Sequence, residues 1–179
     1  MKIYYLTQPL LKNSLDKIYI FNEKNEKVGH LKRFFNGKSR FLIDLIFGEF
    51  FVHLNIYNEN DELIYEINEK LNLNIKELFR SKWLLNKISS DEIYSGIILE
   101  KSLIKTNPRF ILRHNNRSIT LTGDIGDKTS RIYDEENNLI STIERTNFVP
   151  KKVKISIKED NDLNYLLIIG FYYLFDLKR

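Results

Sequence analysis

The residues best suited to chemistry are two groups of cations. The stretch from Lys101 to Gly123 contains five basic side chains and no acid, and three more lysines follow near residue 150. Guanidinium and ammonium groups bind phosphate oxygens through charge-assisted hydrogen bonds. The pattern therefore predicts an anion-binding surface, with ordinary solvated strand faces as the alternative. The candidate residues are Lys101, Lys105, Arg109, Arg113, Arg117, Lys151, Lys152 and Lys154.

Catalytic chemistry has little support in the sequence. The three histidines, His30, His53 and His114, are far apart, and none stands at a spacing typical of metal ligands. The chain has no complete phosphate-binding loop, nucleophile elbow or dinucleotide fingerprint. Acidic runs such as 134–136 fall in expected turns, where carboxylates are solvated rather than paired for acid–base work. We expect no enzyme activity, no cofactor and no metal ion.

Composition predicts one globular domain over residues 1–179. Hydrophobic residues make up 42% of the chain and charged residues 29%, which is typical of a folded domain able to bury a core. A net charge of +4 is mildly basic and does not by itself require a polyanionic partner. Cysteine is absent and the first residues lack a signal-peptide pattern, so a cytoplasmic protein is expected.

The segment from Asp162 to Lys178 organises the rest of the chain. Its only non-apolar positions besides tyrosine between Leu163 and Leu177 are Asn164, Gly170 and Asp176, and these fall on different sides of a helix. The segment is far shorter than the roughly 20 apolar residues of a membrane span. It predicts a helix at about 162–177, capped at Asn161 or Asp162 and enclosed by the protein, with a central strand as the alternative.

A hairpin pattern recurs three times before this segment. Residues 21–31, 57–67 and 133–143 each read as an aromatic residue, an acidic–amide turn and a returning strand. A fourth hairpin is predicted around Asn115 and Asn116, with Phe110, Leu112 and His114 facing inward. Residues 70–88 are ambiguous: a short helix at 74–80 and a strand at 82–88 are expected.

Eleven or twelve short strands followed by one apolar helix predict a mainly β fold. A closed antiparallel barrel of about twelve strands is wide enough to hold a helix inside. Because a barrel filled in this way lacks a deep pocket, we expect any function to lie on its outer surface.

The terminal block KKVKISIKEDNDLNYLLIIGFYYLFD, residues 151–176, and the hairpin IYDEENNLISTIER, residues 132–145, carry a resemblance to a known superfamily. Their order resembles the tubby C-terminal-like fold of tubby-like proteins, LURP-one-related proteins, phospholipid scramblases and small bacterial single-domain relatives. The resemblance implies a barrel around a central helix and a binding or scaffold role. Tubby domains bind phosphoinositides through basic surface residues, but no motif here aligns with individual ligands.

These observations predict a non-enzymatic module that docks on anionic phospholipid or phosphoinositide headgroups at the inner face of the membrane. A protein–protein interaction module using the aromatic segment Phe41–Phe51 is the alternative. Nucleic-acid binding ranks third, because most aromatic residues alternate into the core and are not free to stack on bases.

Overall fold

The computed structural model describes residues 1–9, 11, 14–35, 52–70, 81–88, 94–101, 107–124, 126–146 and 150–178. The expected helix at 74–80 and the aromatic segment Phe41–Phe51 lie outside these ranges. The elements are β1 Lys2–Gln8, β2 Ile18–Asn22, β3 Lys27–Phe34, β4 His53–Asn58, β5 Leu63–Lys70, β6 Lys82–Lys87, β7 Tyr94–Glu100, β8 Arg109–His114, β9 Arg117–Thr122, β10 Thr129–Tyr133, β11 Leu139–Arg145, β12 Lys151–Ile157 and α1 Tyr165–Lys178.

The twelve strands form one closed antiparallel barrel, as the sequence predicts. Each strand pairs with its neighbours in chain order, and β1 closes the ring by pairing with both β2 and β12. Leu6, for example, lies opposite Ile20 on one side and Val153 on the other. Each of these twelve strands therefore has a hydrogen-bonded neighbour on both sides, so the wall is continuous around its interior.

Helix α1 fills this interior. Every residue from Leu166 to Leu177 is buried, which confirms the helical prediction for this segment over the alternative of a central strand. The wall supplies alternate strand residues to the helix; the ring centroids of Phe110 and Phe175, for example, lie 5.3 Å apart, edge to face. The apolar helix is thus enclosed by a wall whose buried side chains are mostly apolar.

The start of the helix differs from the prediction. The cap is Asn164, whose Oδ1 accepts a hydrogen bond from the backbone N–H of Leu166 at 2.8 Å. Asn161 instead closes a turn by accepting from Leu163 N at 3.1 Å, and Asp162 pairs with Arg117. The first helical turn therefore carries no acid. Asn161, Asp162 and Asn164 could each have capped the helix, and tertiary packing selected the last.

The three recurring hairpins adopt one turn geometry. Asn22, Asn58 and Asp134 each accept, through Oδ1, the backbone N–H groups two and four residues further on, at 2.7–3.0 Å. The residue three positions on has a positive φ of 61–64° in every case, which suits Asn and Asp. A bulge occurs at the same place in all three ladders. The sequence pattern is therefore a structural repeat.

These turns define the two ends of the barrel. The turn end holds the turns at 23–26, 59–62, 115–116 and 134–138, together with the start of α1. The link end holds the last residues of β1, β3, β5, β7, β9 and β11 and the first residues of the strands that follow them, together with the end of α1.

Candidate anion-binding groove

Strands β8 and β9 place their side chains as the sequence predicts. Phe110, Leu112 and His114 are buried inside the barrel, whereas Arg109 and Arg113 are exposed on the outer face. The turn residues Asn115 and Asn116 both have positive φ, at 51° and 58°, as a two-residue hairpin requires. The predicted basic outer face therefore exists on this hairpin.

A row of three residues crosses this outer face. Thr122 of β9 lies opposite Arg109 of β8 on one side and opposite Arg131 of β10 on the other. Paired residues in antiparallel strands lie about 4.5–5.5 Å apart, so the two arginine Cα atoms are separated by about 10 Å. Two arginines of neighbouring strands thus lie on either side of one threonine.

The sequence argument missed Arg131. It lies outside the basic stretch, between the buried residues Ser130 and Ile132 of β10, and alternation alone already turns it outward. What alternation could not show was the pairing of β10 with β9, which brings Arg131 next to the predicted candidates. A search for basic residues in the strand that follows the hairpin would have found it.

The row lies in a concave groove of about 650 Å³. Lys101 joins Arg109 and Arg131 among the lining residues, and Asp124 and Asp127 lie in the connection at the link end. Three threonines among the lining residues carry hydroxyl groups that can donate to an anion, as does Tyr133. The threonines are Thr120, Thr122 and Thr129. The carboxylate of Asp127 accepts the backbone N–H of Thr129 at 3.0 Å, so this acid is partly occupied.

The remaining candidates on this hairpin lie away from the groove. Arg113 is four residues beyond Arg109 along β8, opposite Ser118, and does not line the concavity. Arg117 lies at the turn end, where its Nη2 is 2.9 Å from Oδ2 of Asp162. Lys105 lies outside the described residues. The structure therefore assembles only part of the first predicted cluster.

The second predicted cluster occupies a different part of the wall. Strands β10 and β11 separate β12 from β9. Lys152 is exposed, and Lys154 lies 3.7 Å from Glu144 of β11. Lys151 is on the inward side of β12 and forms an ion pair with the buried carboxylate of Asp176 near the end of α1. Lys151 is thus a counter-ion to the helix rather than part of an outer face.

The three histidines are buried. His53 Nδ1 lies 3.1 Å from Asn68 Oδ1, in agreement with the prediction of a packed histidine. His30 stacks on Tyr57, with ring centroids 4.4 Å apart. Burial lowers the pKa of both His30 and His114, since it disfavours the charged imidazolium. Within the described ranges, no group of three potential ligand residues could hold a metal ion.

Residues 4–179 match the family model of the Tubby C-terminal like domain. The chain belongs to this family. The fold is similar to that of a protein from Arabidopsis thaliana solved by X-ray crystallography, with a TM-score of 0.54 and 9% sequence identity. The match covers 99% of this chain and 91% of the plant chain. At this identity the likeness concerns the fold alone. No curated protein sequence matches the chain.

Membership of the Tubby C-terminal like domain family agrees with the resemblance found in the sequence and with the observed barrel. None of the helices in the described ranges is long and apolar enough to cross a membrane. The family match supports a binding module as the kind of function.

Proposed function

We propose that this Tubby C-terminal like domain is a non-enzymatic membrane-docking module of the cytoplasm. Its groove on β8, β9 and β10 takes the phosphate of an anionic phospholipid headgroup. The observation that carries the proposal is the row formed by Arg109, Thr122 and Arg131. A row of this kind places two planar, permanently charged donors around a space of phosphate size.

The charges of the groove favour an anion. Three cations, Lys101, Arg109 and Arg131, face two acids, Asp124 and Asp127. Arginine binds two phosphate oxygens at once, and the threonine hydroxyl groups can donate to the remaining oxygens. The concave shape allows these groups to approach one headgroup from several sides, which a flat basic face does not allow.

Co-sedimentation with lipid vesicles tests the proposal. The wild-type protein is expected to pellet with vesicles of phosphatidylcholine and phosphatidylserine at about 0.15 M salt, and not with phosphatidylcholine alone. A hydrogen bond to a charged group contributes about 1.5–3 kcal/mol. The Arg109→Ala and Arg131→Ala variants should therefore each bind roughly tenfold more weakly.

Arg113→Ala is the matched control, because Arg113 is an exposed arginine on the same strand and face but outside the groove. It should retain most of the wild-type binding. Equal pelleting with neutral and anionic vesicles, or none with either, would sink the proposal. An equal loss in the Arg113 variant would show that overall positive charge, rather than the groove, governs binding.

A further inference from the structure

A cleft of about 500 Å³ lies at the turn end, between the start of β1 and the turn that joins β2 to β3. All of its lining residues belong to the described ranges. Its volume is within the range of about 300–1,000 Å³ that is typical of sites for small molecules. In the wall of the barrel, β11 and β12 lie between β1 and β10, so this cleft is a different surface from the anion-binding groove.

The base of the cleft is apolar and aromatic. Its less exposed lining side chains include Ile3, Tyr4, Val28 and Tyr165, and we call the concavity the tyrosine cleft. The rings of Tyr4 and Tyr165 are parallel, with centroids 4.8 Å apart and an interplanar angle of 1°. The hydroxyl group of Tyr165 donates to Val28 O at 3.2 Å, which holds its ring in place. An apolar ligand therefore meets a surface that is already formed.

The rim of the cleft is charged and has two sides. The turn between β2 and β3 contributes two acids and one cation, whereas the opposite side contributes one acid and two cations. The turn side consists of Glu23, Glu26 and Lys24, and the opposite side consists of Glu159, Lys2 and the amino group of Met1. The formal charges of the whole rim cancel, but the turn side is negative and the opposite side is positive.

The charges on the opposite side act on one another. The amino group of Met1 forms an ion pair with Glu159; this contact lowers the pKa of the Glu159 carboxyl, and Lys2 lowers it further. On the turn side, Glu26 accepts a hydrogen bond from Asn22 Nδ2 at 2.7 Å. The side chains of Glu23 and Lys24 form no ion pair or hydrogen bond within the part of the chain that the structure describes.

The two tyrosines indicate which charge dominates at the base. Burial raises the pKa of Tyr4, and the nearby carboxylate of Glu23 raises it further. Burial also raises the pKa of Tyr165 to about 12, and Glu59 of the next turn adds to this effect. Carboxylates raise the pKa of a tyrosine because they disfavour the charged phenolate. The same negative field favours a cation at the base of the cleft.

We propose that the tyrosine cleft binds a small organic cation, an amine or quaternary ammonium ion that carries an apolar group. The charged nitrogen lies on the turn side beside Glu23, and the apolar group packs against Tyr4, Tyr165 and Val28. Tyrosine rings attract cations as well as apolar surface, because their faces are electron-rich. A phosphate or carboxylate in the same place would meet the carboxylates of Glu23 and Glu59. This inference does not depend on membrane docking.

An NMR titration with three compounds of similar size tests the site. The compound 2-phenylethylamine is a cation near neutral pH, 2-phenylethanol is its neutral counterpart, and 3-phenylpropionate is an anion. The amine should bind about fivefold more tightly than the alcohol, as expected for one partly exposed ion pair, and the anion should bind most weakly. The resonances of Tyr4 and Tyr165 should shift on addition of the amine.

The Glu23→Gln variant tests the counter-ion. It should bind the amine no more tightly than the alcohol, because the carboxylate is replaced by a neutral group of similar size. Asp160→Asn is the matched control, since Asp160 is an exposed acid at the same end of the barrel but outside the cleft. This control variant should keep the preference of the wild type for the amine.

Several results would overturn the proposal. Equal binding of the amine and the alcohol by the wild type would show that charge has no role, and tightest binding of the anion would reverse the expected sign. Equal losses in the Glu23 and Asp160 variants would assign the preference to overall charge. Unchanged resonances of Tyr4 and Tyr165 at millimolar amine would place any binding outside the cleft. Vesicle binding is measured separately, so either proposal can fail alone.

Discussion

Gly170 of α1 lies directly against Ile56 of β4. A methyl group placed on Gly170 would come within 2.2 Å of Ile56 Cδ1 and 3.1 Å of Ile56 Cγ1. Glycine is unfavourable inside a helix, and here the Ile56 side chain occupies the space that a Cβ atom on residue 170 would need.

Gly170→Ala should therefore destabilise the protein, although alanine is the better helix former. Overpacking a filled interior costs about 1–3 kcal/mol, which outweighs a helix-propensity gain of about 1 kcal/mol. The free energy of unfolding in urea measures the net change. Combining Gly170→Ala with Ile56→Ala should cost less than the sum of the two single changes, because the second removes the clashing atoms. Simple additivity would contradict the contact.

Because the turns share one geometry, the hydrogen-bonded side-chain pair of one turn should be replaceable by the pair of another without loss of stability. In the second turn, Asn58 Nδ2 donates to Glu62 Oε2 at 2.6 Å. The third turn has the two groups reversed, with Asn138 Nδ2 donating to Asp134 Oδ2 at 3.0 Å. The double variant Asn58→Asp, Glu62→Asn should therefore melt within a few degrees of the wild type.

Removal of the turn side chain supplies the contrast. Asn58→Ala loses both backbone hydrogen bonds made by Oδ1 and should cost about 1–2 kcal/mol, similar to the loss of a helix cap. Thermal melts of the double variant and of Asn58→Ala check the two expectations together. A double variant as unstable as Asn58→Ala would show that the reversed arrangement is not equivalent.

Two buried histidines predict a loss of stability in mild acid. Burial lowers the pKa of His30 and His114; nearby lysines lower both further, and Asp61 partly opposes this at His30. The unfolded chain, with a histidine pKa of about 6.5, then binds protons more readily than the folded protein. The free energy of unfolding should fall as the pH drops through 6.5 towards the lower folded values.

Melting temperatures measured between about pH 8 and pH 5 test whether stability falls as the pH is lowered. The His30→Gln, His114→Gln double variant should lose less stability across that range than the wild type, because neither position can be protonated. Carboxyl groups with lowered pKa values, such as Asp61 and Asp134, titrate at lower pH and act outside this window. If the melting temperature of the double variant falls with pH as steeply as that of the wild type, the histidines are not the cause of the acid sensitivity.

Deletion of residues 163–179 should abolish folding. The side chains of α1 fill the interior of the barrel. Without the helix, the inward side chains of the strands would surround an empty space. Circular dichroism and thermal unfolding of the truncated chain provide the measurement. A soluble product with a cooperative transition would contradict the view that the barrel depends on α1. A single Leu174→Ala change should be milder, at about 2–5 kcal/mol.

Local sequence determined much of this fold because the relevant signals are short. Alternation of apolar residues set which side chains face inward, for example Phe110 and Leu112 of β8. The lack of a polar stripe between Leu166 and Leu177 required an enclosing wall. The aligned turns at 22–26, 58–62 and 134–138 required hairpins, since each contains its own capping side chain.

Tertiary structure decided the relationships that cross the chain. Arg131 joins Arg109 only because β9 lies between their strands and aligns both residues on Thr122. Lys151 lies on the inward side of β12 rather than on the outer face, because it pairs with Asp176, a residue distant in sequence near the end of α1. The helix begins at Tyr165, whose hydroxyl donates to Val28 O at 3.2 Å and whose ring stacks on Tyr4. Such contacts depend on strand register and helix depth, which no local pattern encodes.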